Sequence, residues 1–247
     1  MKIIPAIDLY DKEAVRLYKG DYSQKTVYSE EPWELVKAFY QNGAGLIHIV
    51  DLNAARDSSD FANRDCILKI RNACSVKIQL GGGIRDMHRL KYYDSIGIDR
   101  FILGTAAVRN PAFIDEALEL MGNDRIIVGV DARDGLVRIS GWEEDSKIHY
   151  EEFLENLEKQ GVKRIVFTDI SLDGTLAGPN VDSYKKILDR FSFDLIASGG
   201  ISSIKDIVEL SQLEGKKKVY GVITGKAIYE GRVDLKQALT MNTREEG

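Results

Sequence analysis

Short runs of apolar, largely β-branched residues recur along the chain, beginning near residues 2, 46, 76, 100, 126, 163, 194 and 219. Runs of this length without apolar/polar alternation fit strands that are buried on both faces. The stretches between them carry helical periodicity and recognisable helix starts. Pro32 precedes Trp33-Glu34-Leu35-Val36, and Asn110-Pro111 precedes Phe113-Ile114 and Ala117-Leu118. Gly43 and Gly122 lie just past apolar helical faces, where glycine commonly ends a helix. Eight strand-helix units share 247 residues, about 31 residues each, which is close to one βα unit and predicts an α/β fold of the (βα)8 TIM-barrel type. A doubly wound open sheet is the alternative, but no Gly-rich turn follows the first strand. Neither a linker nor a low-complexity segment divides the chain, so residues 1–241 are expected to form one domain and 242–247 a frayed tail.

The first run, Ile3-Ile4-Pro5-Ala6-Ile7-Asp8, ends on a carboxylate, and so does Ile126-Ile127-Val128-Gly129-Val130-Asp131 in the middle of the chain. This spacing is part of a wider repeat. Val50-Asp51-Leu52 matches Thr168-Asp169-Ile170, Gly82-Gly83-Ile84 matches Gly199-Gly200-Ile201, and Leu103-Gly104-Thr105-Ala106 matches Thr224-Gly225-Lys226-Ala227. The offsets stay close to half the chain, which implies two pseudo-symmetric half-barrels with Asp8 and Asp131 facing each other across one mouth. In a parallel barrel, acids at the carboxyl ends of strands are where chemistry is expected. The competing reading makes them helix caps or salt-bridge partners.

The repeat also suggests a ligand. Gly-Gly pairs after the third and seventh strands and Gly-x-Ala after the fourth and eighth are positions where a barrel offers backbone N–H groups to phosphate. Thr105 or Lys226 could add a donor. Two such sites on opposite sides of one mouth predict a small molecule with a phosphate at each end, although tight turns also call for glycine. Asp173, on the long loop from Asp169 to Asn180, would reach the mouth from a lid or merely precede Gly174 in a turn. Trp142 would stack on a planar ring or serve as packing. His48 is the one histidine placed to enter the mouth, unless it is a core residue.

Composition removes several classes of function. The net charge is −5 and there is no basic block, so nucleic acid is not an expected partner. The chain has two cysteines, Cys66 and Cys74, expected in the core, and they suggest a reducing compartment rather than a disulfide framework. No run reaches the length of a membrane span and no signal-peptide pattern opens the chain, so a soluble, cytoplasmic protein, monomeric and without membrane partners, is expected. Three histidines without metal-site spacing give no reason to expect a metal. Lys77, within the third strand, leaves a Schiff-base aldolase as an unsupported alternative.

Taken in order, Pro5-Ala6-Ile7-Asp8-Leu9, Val15-Arg16-Leu17, Gly20, Val50-Asp51-Leu52, Gly81-Gly82-Gly83-Ile84-Arg85, Val130-Asp131, Gly141-Trp142 and Thr168-Asp169-Ile170 with Asp173-Gly174-Thr175 form a distinctive set. It closely resembles the phosphoribosylformimino-aminoimidazole carboxamide ribonucleotide isomerases of histidine biosynthesis, over nearly the whole chain. The resemblance implies a cofactor-free Amadori rearrangement of a bisphosphorylated ribonucleotide. It implies Asp8 as the base at C2′, Asp131 as the acid at the ring oxygen and Thr168 as a group positioning the opened sugar, with Asp173 the rival acid. Gly82, Gly83, Gly104 and Thr105 would hold one phosphate; Gly199, Gly200, Gly225 and Lys226 the other. Arg16 and Arg85 would orient the substrate, Trp142 would stack on its imidazole, and His48, Gly174 and Thr175 would line the site. Lys226 stands where the family often has arginine. The alternatives are the sister imidazole glycerol phosphate synthase cyclase, a dual-substrate isomerase also acting on phosphoribosylanthranilate, and a non-catalytic phosphosugar-binding barrel. The cyclase's first strand resembles Pro-Cys-Leu-Asp, and Pro5-Ala6-Ile7-Asp8 departs from it.

Overall fold

The computed structural model describes residues 1–242. The chain opens with β1 (Lys2–Tyr10), β2 (Glu13–Tyr18), β3 (Asp21–Ser29) and α1 (Pro32–Gln41). Next come β4 (Leu46–Asp51), α2 (Leu52–Arg56), α3 (Arg64–Ala73), β5 (Lys77–Gly81), α4 (Met87–Ser95), β6 (Arg100–Leu103), α5 (Thr105–Arg109) and α6 (Pro111–Met121). The second half repeats the plan with β7 (Ile126–Arg133), β8 (Leu136–Ile139), β9 (Glu144–His149), α7 (Tyr150–Lys159), β10 (Arg164–Asp169), α8 (Val181–Arg190), β11 (Asp194–Ser198), α9 (Ile204–Ser211), β12 (Gly221–Thr224), α10 (Lys226–Tyr229) and α11 (Leu235–Asn242).

Strands β1, β4, β5, β6, β7, β10, β11 and β12 pair in that order, each parallel to its neighbours, and β12 returns to β1. The result is the expected closed eight-stranded barrel. Its interior is filled by Ile4, Ala6, Leu46, Ile102, Ile127, Val166, Ile196 and Ile223, and a second, larger apolar layer lies between the strands and the helices. Burial on both faces explains why the strands read as continuous apolar runs. The expected helix boundaries hold: proline lies at the start of α1 and of α6, Gly122 caps α6, and Gly43 turns just beyond α1 with φ 99°. Of the expected tail, Asn242 closes α11 and 243–247 lie outside the described residues. Cys66 is buried, whereas Cys74 at the end of α3 is only partly so.

Two features depart from the sequence reading. Asp8 and Asp131 are not strand tips, because β1 runs on to Tyr10 and β7 to Arg133, where each folds back into an antiparallel hairpin. Segments 13–29 and 136–149 are therefore hairpins standing on the rim of the barrel, not helical connections. A local signal for them exists. Asp11-Lys12, Lys19-Gly20 and Asp134-Gly135 each place two successive residues at positive φ, the geometry of the tight hairpin turn that Asp-Gly favours.

The first hairpin is fastened by a buried amide. Asn63, fully buried, shares its side-chain N–H groups among the Leu9 carbonyl at 3.2 Å, Asp51 Oδ1 at 2.8 Å and Asn53 Oδ1 at 3.0 Å, and its own oxygen accepts from the Lys12 N–H at 2.7 Å. Asn63→Ala would remove all four of these bonds from a dry site, although Asp51 Oδ1 keeps the Ala54 N–H and Asn53 Oδ1 the Asp11 N–H. Urea unfolding should show a loss of roughly 2–4 kcal/mol, well above a surface substitution.

Candidate active site

The mouth at the carboxyl ends of the strands encloses a cavity of about 170 Å³ lined by Asp8, Arg16, His48, Gly82, Gly83, Arg85, Gly104, Thr105, Asp131, Trp142, Thr168 and Asp173. A smaller hollow of about 20 Å³ adjoins it, lined by Gly174, Gly199, Gly200, Gly225 and Lys226. Arg16, Asp173, Ser198 and Ile223 border both. Of the expected site residues, Thr175 alone borders neither, its hydroxyl donating to the Leu172 carbonyl within its own loop. Lys77 begins β5 at the exposed end, away from the acids, which removes the Schiff-base alternative. Ser198, Arg138, Ser140 and Tyr22 line the cavity without having been singled out. Ser198 follows from the repeat, since it closes β11 as Gly81 closes β5; the others sit on hairpins that only the fold brings over the mouth.

Each acid has its own partners. Arg16 Nη1 donates to Asp8 Oδ2 at 2.8 Å, and Arg16 Nη2 lies 3.7 Å from Asp173 Oδ1. Arg16 is tied between two carboxylates, rather than free to orient a ligand on its own. Asp131 Oδ2 accepts from Trp142 Nε1 at 2.8 Å, and its carboxylate also accepts the Thr168 hydroxyl. The Trp142 ring lies flat on Gly20: a Cβ there would come within 2.2 Å of it, so the first hairpin needs glycine at that point. The loop after β10 is closed over the mouth. Lys19 N–H donates to the Asp173 carbonyl at 3.1 Å, and Lys226 Nζ donates to the Gly174 carbonyl at 2.9 Å.

The glycine pairs have a steric reason of their own. A Cβ on Gly82 (φ 98°) would lie 2.2 Å from the Asp51 carbonyl oxygen, and one on Gly199 (φ 93°) 2.9 Å from that of Asp169. Asp51 and Asp169 are themselves repeat partners, so both halves make the same contact. Recurrence of Gly-Gly therefore has a steric reason in both halves, which stands beside the phosphate reading. Thr105 and Arg85 are also engaged: Thr105 Oγ1 accepts from the Ser140 N–H at 2.9 Å, and Arg85 Nη2 donates to the Ala55 carbonyl at 2.8 Å. Among the described residues, no group of three His, Cys, Asp or Glu side chains could hold a metal ion, and no helix is long and apolar enough to cross a membrane.

Residues 2–234 match the model of the family described as histidine biosynthesis protein. The chain belongs to that histidine biosynthesis protein family. It is 49% identical over 240 residues to a protein of Leptospira biflexa, covering 97% of this chain and 96% of the relative. It is 48% identical over 238 residues to one of Lactococcus lactis subsp. cremoris, covering 96% and 95%, and 44% identical over 250 residues to one of Magnetococcus marinus, covering the whole of both. All three relatives are named 1-(5-phosphoribosyl)-5-((5-phosphoribosylamino)methylideneamino)imidazole-4-carboxamide isomerase.

In this member of the histidine biosynthesis family both acids are raised by burial, each against different partners. Burial raises Asp8 from 3.8 to about 6; Arg16 pulls the other way, and Asp173 adds to the rise. Asp131 is also raised by burial, opposed by the Trp142 and Thr168 hydrogen bonds and reinforced by Asp173. His48 is pushed down to about 3 by burial and by Arg16, so its ring is neutral. The mouth thus holds two carboxyls that burial pushes toward the protonated form, the first opposed by a cation and the second by neutral donors.

A raised acid has a thermodynamic consequence. Between about pH 4 and pH 6 the native state binds more protons at Asp8 than the unfolded chain does, so stability falls as pH rises through that window. The shift corresponds to roughly 3 kcal/mol once both states are ionised. Asp8→Asn removes the titration. Urea unfolding should therefore show the variant gaining on the wild type by about that amount between about pH 4 and about pH 7; a constant gap would mean Asp8 is not raised.

Proposed function

We propose that this protein is an aldose–ketose isomerase of histidine biosynthesis, acting on the phosphoribosylformimino-aminoimidazole carboxamide ribonucleotide to give its phosphoribulosyl isomer. The observation that carries the reading is the pair of differently partnered acids, Asp8 on β1 and Asp131 on β7, lining one cavity whose rim continues into a second hollow. The relatives' shared name supplies the substrate. A non-catalytic phosphosugar barrel has no use for carboxylates that would repel its ligand.

The chemistry follows from the two environments. Asp131 gives a proton to the ring oxygen, the bond from C1′ to that oxygen breaks, and an imine forms between C1′ and the amine nitrogen. Asp8 then removes the C2′ proton, and the electron pair moves toward the imine to give an enol-amine. As the 2′-hydroxyl becomes a ketone, C1′ takes up a proton. C2′ is oxidised and C1′ reduced within one molecule, so no outside electron acceptor is required. Thr168, hydrogen-bonded to Asp131 and bordering the cavity, positions the opened sugar. Gly82, Gly83, Gly104 and Thr105 border the hollow proposed for one phosphate; Gly199, Gly200, Gly225 and Lys226 border that for the other. Trp142, which lines the cavity, would cover the imidazole, and Asp173, 3.7 Å from Arg16, would latch the lid. The two free cysteines suit the cytoplasm.

The test is turnover of the aminal substrate by the purified protein, followed as formation of the ribulosyl product. Asp8→Asn should lower kcat by roughly 10³-fold while leaving the substrate Kd nearly unchanged, because the amide keeps the shape but not the basicity. Single-turnover rates of Asp131→Ala and Asp173→Ala distinguish acid from latch. Asp131→Ala should lose the ring-opening step, and Asp173→Ala should weaken binding more than chemistry. The reverse pattern would assign the acid to the loop.

A further inference from the structure

Three polar side chains inside the barrel lie along one register line across neighbouring strands. His48 on β4 and Gln79 on β5 are register partners, and so are Gln79 and Arg100 on β6. Gln79 is fully buried, a costly position for an amide unless its hydrogen bonds are made. Its Nε2 lies 3.0 Å from His48 Nδ1. Among the described residues, Gln79 Oε1 and Arg100 Nη1 are buried and make no hydrogen bond, and Arg100 Nη2 donates to the Tyr220 hydroxyl at 3.2 Å.

The atoms in contact decide where the ring proton sits. The end of Gln79 set against His48 is Nε2, and an amide N–H₂ only donates, so His48 Nδ1 accepts. With Nδ1 accepting from Gln79, the single proton of the neutral imidazole sits on Nε2. His48 borders the cavity, and its Nε2 has no hydrogen bond to protein among the described residues.

We propose that Gln79 is a positioning residue: it occupies the Nδ1 lone pair of His48, fixes the proton on Nε2, and so presents to the sugar a neutral N–H donor that cannot take a proton. His48 then holds a hydroxyl of the sugar beside Asp8, and Asp8 remains the base on that wall of the cavity. Burial and Arg16 keep the ring uncharged independently of the amide. The sugar as ligand rests on the isomerase reading; the tautomer does not.

The experiment uses the full chain labelled with ¹⁵N-histidine, with His48 signals assigned by their loss in His48→Asn. The wild type should show an unprotonated Nδ1 and a protonated Nε2 throughout the neutral range. Gln79→Glu offers a carboxylate acceptor and should move the proton to Nδ1; Gln79→Leu should leave a mixture of tautomers. In both variants, shown to be folded by circular dichroism, kcat should fall roughly tenfold or more with a smaller change in KM. A wild-type proton on Nδ1, unchanged tautomers in both variants, or unchanged kcat despite altered tautomers would each overturn the proposal. If the wild type fails to turn over the aminal at all, the isomerase reading is what fails, and the ¹⁵N spectra still decide the tautomer.

Discussion

The closed mouth depends on one buried guanidinium. Arg16 rises from β2, pairs with Asp8 on the adjacent β1, reaches toward Asp173 on the loop after β10, and lies against Gly225 at the start of α10. Its side chain is 9% exposed, and a charge that deep in the protein is tolerated only when it is compensated. The hairpin, the lid and the ionisation of Asp8 are therefore coupled. Any motion that withdraws Asp173 leaves Arg16 to Asp8 alone, and any change in the charge of Asp8 is felt by the lid.

The two halves of the barrel share a scaffold but differ in partners. Both halves extend a strand past an acid into a hairpin, both turn on a glycine pressed against an aspartate carbonyl, and both set a short helix after a Gly-led turn. Within that symmetry, Asp8 is held by a cation and Asp131 by an indole N–H and a hydroxyl. Burial raises both, opposed at Asp8 by a cation and at Asp131 by neutral donors, so equivalent positions sit in unequal environments.

Polar groups inside the molecule follow the same economy. Asn63 ties the first hairpin to β4 and α3 through bonds it cannot make elsewhere, and Gln79 donates to the neutral ring of His48. Such groups are expensive unless satisfied, so each narrows the conformations open to its neighbours. The site is rigid where these amides hold it.

Much of the fold was written in the order of residues. Eight apolar runs have to be buried on both faces, and with helical stretches between them a closed parallel barrel follows; the repeat brings Asp8 and Asp131 to one mouth because equivalent strands lie half a turn apart. The rim hairpins were hidden, since their alternation is short and solvated, although Asp134-Gly135 signalled one of them. What the sequence by itself determined was the barrel, its symmetry and which residues meet at the mouth. Only the tertiary structure decided how they pair. Arg16 and Asp173 are far apart in the chain and meet on top of the barrel, Trp142 reaches Asp131 across a hairpin, and Gln79 orients His48 from the next strand. Periodicity reports which side of a strand is buried, whereas the partner of a buried charge or amide is set by three-dimensional contacts that leave no period in the sequence.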